Sequence, residues 1–232
     1  MDLQILLWTA FSIGFVHTII GPDHYLPFIM IGKARKWSLS KILWITVLCG
    51  IGHVFGSVLL GVLGVVLGLS VGLLENVESV RGDIASWLLI GFGIAYAAWG
   101  LRIGLRASEH THDHDHDGHD HQHSHHHLGN HAHMHGNPKS VTPWALFIIF
   151  VLGPCEPLIP ILMYPAAQGN WMDLVWVTLA FGLTTIVTMT VVVLIISKGL
   201  INVNLGFLNK YAHAIAGLII ALAGLSIKFL GL

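Results

Sequence analysis

Apolar residues run along this chain in six stretches, at 3–31, 42–69, 84–105, 144–164, 174–197 and 211–230. Each is long enough to cross the hydrocarbon core of a bilayer as a helix, which takes about 20 residues. The pattern predicts an all-α integral membrane protein with six transmembrane helices. It also repeats. Gly21-Pro22 falls on Gly153-Pro154 at one fixed offset, and at that same offset Leu26 falls on Leu158, Trp44 on Trp176, Thr46 on Thr178 and Gly50 on Gly182. The third helices match at a slightly shorter offset, Gly93 with Gly217, Ala97 with Ala221 and Gly100 with Gly224. Each copy is therefore three helices long, and an odd number of crossings turns the second copy upside down, the inverted-repeat plan of many secondary transporters. The predicted organisation is a first three-helix repeat at 1–107, a histidine-rich loop at 108–140 and a second repeat at 141–232.

Composition agrees with a membrane protein: 54% of residues are hydrophobic, 10% are charged and the mean hydropathy is +0.74, far from the balance of a soluble domain. Basic residues set the orientation, because cytoplasmic loops carry the excess of Lys and Arg. Lys33, Arg35, Lys36 and Lys41 lie between the first two stretches, Arg102, Arg106 and Lys139 flank the central loop, and Lys198 and Lys210 bracket the last connection; Arg81 and Lys228 fall on the opposite side. The expected protein sits in the plasma (inner) membrane with external termini and a cytoplasmic central loop. Asp2, with no basic n-region or small-residue cleavage pattern after it, speaks against a removable signal peptide. Cys49 and Cys155 both fall within apolar stretches, which does not suit a secreted disulfide framework. A net charge of −1 predicts no nucleic-acid surface.

The central loop interrupts the apolar pattern with thirteen of the seventeen histidines: His110, His112, His114, His116, His119, His121, His123, His125, His126, His127, His131, His133 and His135. Such a composition cannot bury a core and predicts disorder without a ligand. Neutral imidazoles ligate divalent transition metals, and the interleaved Asp113, Asp115 and Asp117 would help neutralise them. The loop is expected to gather or buffer metal and to lose affinity as pH falls through the imidazole range, since protons compete for the ligand nitrogen. Metal titration of the isolated loop peptide at two pH values checks this; equal affinity at both would contradict imidazole ligation.

Asp23 and Glu156 are the acidic residues that the apolar pattern places well inside spans, where an ionised group costs about 2.5–3.5 kcal/mol. His17, His24 and His53 lie nearby in sequence or on the next helix, and Cys155 adjoins Glu156, making six candidate ligands or proton carriers. His17 and His24 would stand about 10 Å apart on a regular helix, too far to share an ion. Gly21-Pro22 offers a break, and Gly153-Pro154 with Pro157 and Pro160 offers a stronger one, because proline removes a backbone hydrogen bond and clashes with the preceding turn. Broken helices at equivalent places in two inverted halves point to a site at the repeat interface, to which the freed carbonyls of Thr18 and Phe150 could contribute. Gly50, Gly52, Gly56, Gly61 and Gly64 are spaced for close helix packing. His213 reads as an interfacial residue, and Cys49, aligned with Phe181, as a space-filling one.

The segment His17-Thr18-Ile19-Ile20-Gly21-Pro22-Asp23-His24, together with Gly52-His53 and the histidine-rich loop, resembles the nickel/cobalt transporter superfamily, including its efflux branch and the hydrogenase/urease accessory permeases. Five residues separate His17 from Asp23, the spacing of the accessory permeases rather than of the nickel permeases. The resemblance implies a secondary transporter of Ni2+ or Co2+ with His17, Asp23, His24, His53, Cys155 and Glu156 as metal ligands. A thiolate at Cys155 would favour softer ions, Zn2+ or Cu. No phosphate-binding loop is present; no catalytic residues and no cofactor beyond the transported ion are expected, so the chain reads as a carrier and not as an enzyme. Membrane lipid, divalent metal ions and a metallochaperone or metalloenzyme maturation factor are the expected partners. Gly153-Pro154-Cys155-Glu156-Pro157 also resembles the transmembrane thiol-reductant carriers of the cytochrome c biogenesis and disulfide interchange type, which carry electrons on a pair of cysteines, one in each repeat. Here the counterpart of Cys155 is Asp23, which ranks a thiol carrier second, beside a metal-binding sensor or store without flux.

Overall fold

A computed structural model describes residues 2–106, 138–201 and 206–230. The histidine-rich segment lies outside them, except that its last predicted residues, from Pro138 on, already belong to a helix. Every regular element among the described residues is helical: α1 Leu3–Ile20, α2 Leu26–Ala34, α3 Leu39–Val66, α4 Val71–Arg106, α5 Pro138–Leu152, α6 Leu158–Ala167, α7 Trp171–Ile201 and α8 Ala212–Leu230. Five of the helical segments, beginning at Leu3, Leu39, Val71, Trp171 and Asn209, are long and apolar enough to span a membrane, the last of them α8 with the short turn before it. The protein is a multi-pass membrane protein.

Two predicted spans are split. The stretch at 3–31 is α1, one 3-10 turn at Pro22–His24 and then α2; the stretch at 144–164 is α5, an irregular segment at 153–157 and then α6. Proline causes both breaks. Pro22 and Pro154 have no N–H to donate to the residue four before them, and the chain restarts with Pro27 and with Pro157 at the helix entrances, where a missing N–H costs nothing. α4 differs from expectation in the other direction. It begins at Val71 and runs for 36 residues, well upstream of the predicted start at Ile84, because Glu75, Glu78 and Arg81 interrupt the apolar pattern without interrupting the helix.

α1 packs on α7, α3 on both α5 and α7, and α4 along the length of α8. The glycines of α3 serve these contacts: a Cβ on Gly52 would lie 2.7 Å from Val151, one on Gly56 2.8 Å from the Val151 carbonyl and one on Gly61 3.0 Å from Leu162. Two apolar clusters result. One gathers Phe28, Ile31, Cys49, Phe150, Met189 and Ile220; the other gathers Leu6, Ala10, Cys155, Leu158, Leu162 and Phe181. Cys49 thus fills core space, as expected, while the two free thiols lie in different clusters. The outward faces carry large apolar side chains such as Phe55, Leu59, Leu183, Val187 and Leu222, which lipid, unlike water, would leave without penalty.

Candidate functional site

The two helix breaks meet. Interrupting the first span after Ile20 lets the chain fold back, so His24 no longer stands two turns above His17: the ring centroids are 4.9 Å apart, and His24 is 5.1 Å from His53 of α3. Ligand atoms of His17, His53 and Cys155 all lie within 4.8 Å of one another. His24 and His53 are each 2% exposed and Cys155 is fully buried. Close approach favours glycine at both breaks: a Cβ on Gly21 would collide with His24 Nδ1 and lie 2.8 Å from its Cε1, and one on Gly153 would lie 3.2 Å from His53 Nδ1, tight enough that the ring must give.

Backbone carbonyls at the breaks, each also accepting a backbone N–H, lie against the imidazoles. His53 Nδ1 lies 3.3 Å from the Phe150 carbonyl, the oxygen predicted to be released by Pro154, and His24 Nδ1 lies 3.1 Å from the Gly21 carbonyl. A carbonyl only accepts, so each Nδ1 carries the proton and each Nε2 keeps its lone pair. Those Nε2 atoms, with His17 Nε2 and Asp23 Oδ1, are buried with no hydrogen-bond partner among the described residues. Asp23 Oδ1 is 3.2 Å from His24 Nδ1, an ion-pair distance without hydrogen-bond alignment. The Thr18 side chain instead donates to Gly14 O within its own helix at 2.7 Å.

Glu156 departs from expectation. It is exposed, and it lines a cavity of about 240 Å³ with His17, Asp23, His24, Asp83 and Lys228 rather than joining the buried cluster. The fully buried acid is Glu78 of α4, which the apolar pattern placed outside the spans. Glu78 pairs with Arg81, one turn further on, and its Oε2 accepts from the Cys155 N–H at 3.3 Å. Arg81, expected in an external loop, donates to Ser57 Oγ at 3.3 Å and to the carbonyls of Val151 and Gly153 at 2.9 and 3.3 Å. These are carbonyls of the interrupted helix end, where a cation is favourable. The signal was an acid and a base spaced i, i+3 just upstream of an apolar run. His213 lies outside the cluster, 2.8 Å from the Tyr96 hydroxyl.

On its other flank the cluster meets apolar rings, Phe150 at 6.4 Å from His53 and Phe28 at 4.6 Å from Phe150. Ile29, beside Phe28, lines a separate cavity of about 670 Å³ with Lys33, Lys36 and His213. The cluster is therefore reached by the polar cavity at Asp83 and Lys228 and is shielded by aromatic packing from the basic one.

A family model, that of the cytochrome c biogenesis protein transmembrane region, matches residues 26–226. The chain belongs to this family. No curated protein and no solved structure matches the chain. The match corrects the resemblance drawn from the first motif, and the reading as a nickel or cobalt transporter, with those ions as its cargo, is set aside. The physical reason is visible in the matched range, which takes in six of the eight helices whole, α2 to α7, most of α8 and the Cys155 segment, but begins after His17, Asp23 and His24. Three polar residues at one helix break were a narrower signal than some two hundred residues of helix pattern.

Proposed function

We propose that this cytochrome c biogenesis transmembrane protein is a thiol carrier, moving reducing equivalents across the membrane, with Cys155 as the exchanging thiol. The observation that carries the reading is the position of Cys155: buried, at a helix break, with the ligand atoms of two imidazoles within 4.8 Å. Thiol exchange requires the thiolate, and an imidazole whose Nε2 holds a free lone pair accepts the thiol proton. The thiolate attacks one sulfur of an acceptor disulfide, forming a mixed disulfide and releasing the acceptor's other sulfur as a thiol. A donor dithiol then attacks Cys155 Sγ, releases the reduced acceptor and closes its own disulfide, which regenerates Cys155. Two electrons pass from donor to acceptor, and Cys49 is not needed.

Because the acceptor stays on its own side while it is joined to Cys155, carrying electrons across requires the mixed disulfide to open to the donor from the opposite side. Inverted repeats support that exchange, and the packing supports inverted repeats: α1 on α7 is matched by α5 on α3, and α2 on α7 by α6 on α3. The sixth crossing of that plan is α5 with α6. In the orientation set by the basic residues, the polar cavity at Asp83 and Lys228 opens outward, while Phe28 and Phe150 close the cytoplasmic side.

The test is reduction of a disulfide reporter sealed inside proteoliposomes by an impermeant dithiol outside. The wild-type chain and Cys49→Ala are expected to transfer equivalents at similar rates, and Cys155→Ser is expected to fall to the rate of empty liposomes. Transfer that survives Cys155→Ser would refute the carrier reading.

A further inference from the structure

We propose that His17, His53 and Cys155 also form a buried binding site for one thiophilic ion, Zn2+ or Cu+, with His24 and Asp23 as the adjoining ligands. The inference goes beyond thiol transfer. Three side chains from separate elements, α1, α3 and the α5–α6 break, already converge to within 4.8 Å. Donors sharing one tetrahedral ion at Zn–N of about 2.0–2.1 Å and Zn–S of about 2.3 Å stand about 3.3–3.7 Å apart, so the cluster is within about 1.5 Å of closing.

Burial makes the convergence informative. His17, His24 and His53 Nε2 and Asp23 Oδ1 are buried without a hydrogen-bond partner among the described residues, and a buried polar atom left unpaired is costly. Two of these atoms belong to His17 and His53, the residues that converge with Cys155, and a cation held there would satisfy them. The second ring nitrogens of His24 and His53 are held by backbone carbonyls, the outer-shell arrangement that fixes a ligating tautomer. Cys155 is held by the Glu78 contact to its N–H. Charge and softness point to the ion. Cu+ with one thiolate is neutral, and Zn2+ becomes neutral when Asp23 adds its carboxylate; thiolate and imidazole together select these ions over Mg2+ or Ca2+. Because metal would occupy the same sulfur that exchanges disulfides, metal-bound and thiol-transferring states exclude each other.

X-ray absorption by the bound metal tests this in the purified full chain carrying Met134→Leu, which removes the thioether of the histidine-rich segment. The reduced protein is loaded with Zn2+ or with Cu+ and gel-filtered against free histidine, which competes for exposed imidazoles. A metal–sulfur shell at about 2.3 Å is expected, retained in Cys49→Ala and lost in Cys155→Ser, with the retained metal falling by about one equivalent in His17→Ala and His53→Ala. A shell with only one of the ions identifies which it is. Absence of sulfur scattering with both, or scattering that survives Cys155→Ser, overturns the site. Thiol transfer is assayed with chelator present, so sulfur ligation without transfer sinks only the carrier, and transfer without sulfur ligation sinks only the metal site.

Discussion

Replacing Arg81 with methionine is expected to destabilise the protein by about 3–5 kcal/mol, the usual cost of leaving one partner of a buried ion pair uncompensated. Glu78 is fully buried, and without the guanidinium its carboxylate keeps the Cys155 N–H and the Ser57 hydroxyl but no compensating charge. The carbonyls of Val151 and Gly153 lose their donor at the same time. The double variant Glu78→Gln with Arg81→Met is expected to be less destabilised than the single one, by about 1–2 kcal/mol relative to wild type, because the amide oxygen still accepts from Cys155 and no charge is stranded. Reversible unfolding in mixed detergent micelles measures both. Equal losses in the single and double variants would show that the pair does not hold the break.

Leucine at Gly217 is expected to cost about 3 kcal/mol or to prevent folding, and leucine at Gly93 to cost the same within about 1 kcal/mol. A Cβ on Gly217 would lie 2.7 Å from Ala97 Cα, and one on Gly93 would lie 2.8 Å from Ala221 Cα. The colliding atoms are backbone, so no side-chain rotation relieves them and α4 must part from α8. Small residues let membrane helices approach this closely. The contact is reciprocal: Gly93 meets Ala221 as Gly217 meets Ala97, two contacts that the alignment of Gly93 with Gly217 and of Ala97 with Ala221 exchanges. Gly91, with open space around it, is the control, and its leucine variant should change stability by less than about 0.5 kcal/mol. Unequal losses at Gly93 and Gly217, measured in the same micelle system, would argue against a two-fold relation at this interface.

Much of the candidate site could be read from residue types alone. An acid and histidines beside Gly-Pro in an apolar run have few uses except function, and His17, Asp23, His24, His53 and Cys155 do come together. Glu156 and Glu78 exchanged roles for a reason that a linear pattern does not carry. A residue beside a helix break points wherever the break turns it, and Glu156 turns toward the polar cavity. Glu78 sits in a polar stretch of α4 that looked like loop, and packing of α3 and the α5–α6 segment over it made it interior. The first motif pointed to the wrong family because a short polar motif records local chemistry, whereas family membership was decided by the pattern of helices across residues 26–226.

By itself the sequence determined that the chain is helical and lives in a membrane, because runs of about 20 apolar residues have no other low-energy solution in lipid. It determined where two of those runs must break, because proline cannot complete the backbone ladder wherever it stands. Only the tertiary structure decided that both breaks face one another, that carbonyls at the breaks lie against Nδ1 of His24 and His53, and that Arg81 reaches across from α4 to stabilise the second break. Those outcomes depend on contacts between residues far apart in the chain, and apolar periodicity, being the same for every lipid-facing or core-facing helix, does not specify which helices touch.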